Sequence, residues 1–143
     1  MEANDDVQEK SRARKMKPNN IFNIPTTLNK DFFKWWCILL NPFISLTERE
    51  KDVVASFLKY RWELSKSVKD PNLLDIVLMS DETKKKVINE CDLTLPHFYV
   101  VMSTLRKKGI LTPRNTFNPK VIPNMREDDN GVFQLLILFR ETS

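Results

Sequence analysis

A chain of 143 residues is long enough for one ordinary domain with a proper hydrophobic core, and little more. Its apolar share of 41% excludes a fibrous or wholly disordered protein, and two glycines among tracts rich in Lys, Glu and Leu predict that helices dominate. The 23 basic against 19 acidic residues leave a net charge of +4, which is compatible with nucleic acid without demanding it.

Residues 1–20 carry almost no apolar side chains. The first half is acidic (Glu2, Asp5, Asp6, Glu9) and the second basic (Lys10, Arg12, Arg14, Lys15, Lys17). Such a segment cannot offset its own ordering entropy, so it reads as a flexible charged arm ahead of one domain over residues 21–143. In that arm Arg12, Arg14 and Lys15 are candidate partner contacts, and a solvated arm is the bland alternative.

Residues 21–28 look extended, with Thr27 or Asn29 as the cap of a helix over Lys30 to Leu40. Eight of the nine residues from Phe32 to Leu40 are apolar, so this helix is hydrophobic nearly all round and should be covered on several sides. Lys34 breaks the run, which is also far too short to cross a bilayer. Asn41 and Pro42 are expected to end the helix. Nine Phe and three Trp are many for this size, and that surface must be buried in a core or against a partner. Within the stripe Phe32, Phe33, Trp35 and Trp36, core packing is expected for half, and Phe32, Trp35 and Trp36 are taken as candidate partner contacts.

Thr47 and Glu50 form a capping box that opens a helix running to about Val68, where Asp70 and Pro71 stop it. A short apolar turn from Leu73 to Met79 leads to Ser80, a cap for a helix from Glu82 to Cys91. Asp92, Leu93 and Thr94 then make a tight turn and a new cap, and Leu95 to Lys108 is a second helix stopped by Gly109. Ile110, Leu111 and the run Val132 to Phe139 are strand-like, separated by a loop with Pro119, Pro123 and the turn Asp129, Asn130, Gly131. Helix, turn, helix and two-stranded hairpin is the order of a winged helix. The predicted fold class is therefore mainly α: a helix-turn-helix domain of winged-helix type with a C-terminal β-hairpin wing.

The pattern resembles winged-helix regulators in detail. Val87 and Cys91 occupy inward positions of the first helix, and Leu93 packs inward. Asp92 stands where Gly is common, because Asp tolerates the left-handed region better than most residues. Aligned this way, the groove-facing positions are His97, Tyr99, Val100, Ser103 and Thr104. None is an Arg, Lys, Asn or Gln, the side chains that read base edges best. Arg106, Lys107 and Lys108 lie at the far end, where a nucleic-acid backbone is the alternative contact. The wing tip from Arg126 to Gly131 is net acidic and would repel phosphates. An aromatic and aliphatic surface of this kind suits a protein partner, which makes His97, Tyr99 and Val100 candidate partner-binding residues.

No phosphate-binding glycine loop, metal-ligand spacing or nucleophile motif is present, so neither an enzyme nor a cofactor is expected. The single histidine, His97, reads as a helix-surface residue. Cys37 and Cys91 sit in helical apolar pattern and read as small buried hydrophobes in a reducing cytosol. The polar, charged N-terminus contains no secretory signal, and the chain is expected to work in a cytosol or in something assembled there, away from membranes.

The segments from Asn23 to Trp36 (NIPTTLNKDFFKWW) and from Leu73 to Thr83 (LLDIVLMSDET) resemble proteins of crAss-like bacteriophages, the tailed phages of gut Bacteroidales. The likeness spans most of residues 21–139. It implies a small structural protein of the virion neck or tail, whose partners are other virion proteins and copies of itself in a ring, and it brings no site residues with it. The competing reading is a DNA-binding regulator acting in the host cytoplasm, gripping phosphates through Lys10 to Lys17 and Arg106 to Lys108.

Overall fold

In a computed structural model the described residues are 21–142. The N-terminal arm, with Arg12, Arg14 and Lys15, lies outside them. Among the described residues five α-helices are followed by one short 3-10 helix and one two-stranded antiparallel sheet.

Helix α1 (Lys30–Ile44) starts at Asn29, whose side chain accepts the Phe32 N–H at 3.2 Å. It does not end at Pro42 as the sequence predicts. Pro42 removes only one rung near the end, and Asn41 secures the exit instead: its carbonyl accepts the Ser45 N–H at 2.8 Å and its side chain the Leu46 N–H at 2.7 Å. Ser45 takes the left-handed conformation (φ 47°) that closes the turn.

Helix α2 (Glu48–Ser65) opens on the expected capping box. Thr47 Oγ1 accepts the Glu50 N–H at 3.3 Å, and Glu50 Oε1 accepts the Thr47 N–H at 3.1 Å. Its buried run Val53, Val54, Ala55, Phe57 and Leu58 makes it the central helix of the core. It stops three residues before Val68, because the Lys66 and Ser67 N–H groups tighten onto Glu63 and Leu64. Lys34 reaches Asp52 at 3.0 Å and Glu48 at 3.5 Å, while Lys30 reaches Asp52 at 4.0 Å, so α1 lies antiparallel along α2.

Asp70 and Pro71 are a start as well as a stop. Asp70 accepts the Asn72 N–H at 3.1 Å and Pro71 occupies the first turn of helix α3 (Pro71–Leu78), where the sequence suggested only an apolar turn. A proline without an N–H costs nothing where the helix has no acceptor for it. Leu74 and Leu78 anchor this helix to the core.

Helices α4 (Asp81–Glu90) and α5 (Leu95–Lys107) begin on the predicted caps Ser80 and Thr94. In the turn between them Asp92 has φ 52°, and Val87, Cys91 and Leu93 all point inward, as read from the sequence. Phe98, Val101, Met102 and Leu105 bury one face of α5. Gly109, at φ 76°, lets the Ile110 N–H return to the Leu105 carbonyl at 3.0 Å.

The hairpin differs from expectation in both strands: the second, expected over Val132 to Phe139, covers only Phe133–Leu135, and the first is displaced. Leu111 makes a single bridge to Phe117 and then the chain bends through a 3-10 turn at Pro119–Val121. Strand β1 (Met125–Glu127) starts only after Pro123 and pairs with β2 (Phe133–Leu135) in the register Met125 to Leu135 and Glu127 to Phe133. Two prolines that cannot donate to a ladder keep the intervening residues out of the sheet. Asp128 holds the connecting turn by accepting the Asn130 and Val132 N–H groups, each at 2.9 Å. Two contacts seat this C-terminal segment on α1. The buried Trp36 indole donates to the Val121 carbonyl at 2.7 Å, and Phe133 meets Phe32 edge to face at 5.3 Å. None of the described helices is long and apolar enough to cross a membrane.

Candidate interaction surface

Helix α1 is apolar on both sides, and only one side is covered. Phe32, Phe33, Trp36 and Cys37 are buried. Trp35, Ile38, Leu39, Pro42 and Phe43 are exposed, at the i, i+3, i+4, i+7 and i+8 spacing that places side chains on one helix face. Trp35 is 41% exposed and Phe43 83%. This divides the predicted partner contacts: Trp35 faces solvent, whereas Phe32 and Trp36 are corrected to core residues, held by Phe133 and by the Val121 carbonyl.

The rest of the surface was missed because the sequence reading ended the helix at Leu40. Extending it through Pro42 brings Phe43 into line with Trp35 and Leu39. The available signal was the all-round apolar pattern, which exceeds what one core-facing side requires.

On α5 all three predicted contacts are exposed, with His97 two residues from Tyr99 and turned away from it. Tyr99 is 50% and Val100 61% exposed, Leu95 lies beside them, and His97 is also at the surface. A small cavity of about 230 Å³ opens between Lys84, Tyr99, Arg106 and Pro113. A third apolar stretch, Leu136 to Phe139, continues beyond β2; the Leu136 N–H still donates to the Asn124 carbonyl at 2.9 Å, and the last two side chains are almost fully exposed.

The basic end of α5 is less available than its composition suggests. Lys108 Nζ pairs with the Glu50 carboxylate and donates to the Ser45 carbonyl at 2.8 Å, so it belongs to the joint between α1 and α2. Arg106 donates to the Asn115 side chain at 2.8 Å. Lys107 is exposed. Glu127, Asp128 and Asp129 stand exposed at the hairpin tip, where they oppose phosphate.

Both cysteines are buried and unbridged. Burial pushes the Cys37 thiol up to about 12, far from the thiolate that ligation or nucleophilic chemistry needs, and raises Cys91 as well. Among the described residues no group of three His, Cys, Asp or Glu side chains is placed to hold a metal ion.

No protein-family model, curated protein or solved structure matches the chain.

Proposed function

We propose that this chain is a non-enzymatic assembly protein with a core of winged-helix type, which joins copies of itself and other virion proteins into a ring of a phage neck or tail. The observation that carries the reading is the uncovered stripe Trp35, Ile38, Leu39 and Phe43 on a helix whose opposite side is already core. Exposed apolar side chains scattered singly need no explanation, but a contiguous face on one helix marks a contact site.

Magnitudes favour several contacts over one. These four side chains are already partly buried, so covering what remains contributes about 3–6 kcal/mol, while association costs about 4–15 kcal/mol. The stripe alone is therefore marginal. With the Tyr99 and Val100 face or the Leu136 to Phe139 run as a second patch, the balance turns favourable. Different patches meeting on successive copies is the arrangement that closes rings. The resemblance to crAss-like phage proteins supplies the setting.

Sedimentation velocity on the full chain tests this reading. The wild type should associate as concentration rises, and the double variant Ile38→Lys, Phe43→Lys should weaken that association at least about tenfold. A wild type that stays monomeric throughout, or a variant that associates equally well, overturns it. The regulator reading rests on Arg106, Lys107 and the arm, and it requires a DNA mobility shift that fades steeply with salt.

A further inference from the structure

Helix α2 carries a half-buried cation with no partner among the described residues. Arg61, on α2, has its Nε sealed from solvent and without a hydrogen bond, and no other atom of its guanidinium makes a hydrogen bond or ion pair among the described residues. Arginine presents five donors in a rigid fork and no acceptor, and leaving even the one sealed donor unsatisfied is costly. Other arginines here are answered: Arg49 donates to the Cys91 carbonyl at 2.9 Å and Arg106 to Asn115.

Arg61 borders a cavity of about 460 Å³ between α2 and the segment leading into β1. Phe33, Leu58, Trp62, Pro123 and Met125 give it an apolar side, while polar atoms line nearly half of it. Ser65 also lines it, but its hydroxyl donates to the Trp62 carbonyl at 2.6 Å and has no proton left for a ligand. Asn124 stands at the rim with its side-chain amide unengaged among the described residues. The site therefore combines a half-buried cation, an amide and a partly apolar lining.

We propose that this cavity binds a carboxylate carried on an apolar body, with Arg61 as the anchoring residue. The guanidinium fork matches the two oxygens of a carboxylate in a bidentate pair. One cation beside an apolar side suits a singly charged group better than a phosphate, which brings more charge and more bound water into the same space. Burial lowers the Arg61 pKa and Asp75 pulls it back, but a guanidinium remains charged at all ordinary pH. Asp75 itself makes no ion pair with Arg61 within 4.0 Å, so its charge competes with a ligand without replacing one. This inference does not rest on the assembly reading. The carboxylate can belong to a small free acid or to an acidic side chain flanked by apolar residues on a docked polypeptide.

Calorimetric titration of the full chain with 4-phenylbutyrate, its amide, inorganic phosphate and the capped peptide acetyl-Leu-Glu-Leu-amide tests the site. At least one carboxylate probe should bind and alter Trp62 fluorescence, while the uncharged amide should not. Arg61→Met should weaken that binding by about tenfold or more, Arg61→Lys by less, and Asp75→Asn should tighten it. Thermal melts of each variant establish that it is folded. Tighter binding of the peptide assigns the site to a docked polypeptide, and tighter binding of phenylbutyrate assigns it to a free acid. Equal binding of acid and amide, full affinity in Arg61→Met, a preference for phosphate, or no binding by either carboxylate overturns the proposal.

Discussion

Lys59 and Arg61 stand two residues apart on α2, and their surroundings are opposite. Lys59 reaches both oxygens of Glu90 at 2.8 Å, Ser56 donates to the same carboxylate at 2.9 Å, and the Tyr60 ring lies 4.3 Å below the ammonium. Arg61 faces a cavity and is answered by nothing among the described residues. Residues at i and i+2 point away from one another on a helix, so one element serves two tasks. Its Lys59 side locks α2 to α4, while its Arg61 side keeps a charge uncommitted. Uncommitted buried charge detracts from stability, and proteins tolerate such a cost where a site needs it.

Removing an acid that is already paired should show the largest effect. Glu50 is only 5% exposed, closes the capping box and pairs with Lys108, so Glu50→Ala should destabilise the fold by about 2–4 kcal/mol in urea unfolding. Glu90→Gln leaves a neutral acceptor beside Lys59, and about 1–2 kcal/mol is expected because both side chains keep some contact with water. Arg61→Met should run the other way, neutral or stabilising by up to about 1 kcal/mol, since it breaks no pair and adds apolar contact to the cavity wall. A loss above about 1 kcal/mol there would show that Arg61 has a structural partner and would dissolve the contrast with Lys59.

What could be read from the sequence follows the range of the interactions concerned. Caps at Thr47, Ser80 and Thr94, the left-handed Asp92 and the stop at Gly109 all depend on residues within four or five positions, and all stand where they were expected. The misreadings at Pro42 and Pro71 share one cause. Each proline reads as a helix end, yet Pro42 sits inside the last turn of one helix and Pro71 in the first turn of another, and the neighbouring Asn41 and Asp70 side chains set where each helix ends or begins. Strand pairing is non-local, so nothing near Leu111 announced that the partner of Phe133 would be Glu127. Burial around α1 was half legible: the apolar excess was evident, but placing Trp36 inside and Trp35 outside required the Val121 carbonyl, 85 residues away. Arg61 gave no signal at all, because an arginine amid Tyr60 and Trp62 reads as an ordinary surface cation.

Acid titration separates the paired carboxylates from Arg61 by the smallest effect. Burial pushes the Glu50 carboxyl up, but hydrogen bonds and charge from Lys108 and Thr47 outweigh it and leave the group below its ordinary 4.5. For Glu90, burial is likewise outweighed by Lys59, Ser56 and Tyr60, and that carboxyl is also lowered. A carboxylate held low in the folded chain contributes stability that is complete above the unfolded value. As pH falls the unfolded chain takes up the proton first, and the contribution is lost through the folded value. Unfolding free energy should therefore fall with acid below about pH 4.5, with a shallower slope in Glu90→Gln and in Glu50→Gln. Arg61 has no proton to exchange in that window, so Arg61→Met should shift the whole curve without changing its slope. A slope altered by Arg61→Met would mean that the guanidinium is coupled to an acid, Asp75 above all, and that the cavity charge is already answered within the chain.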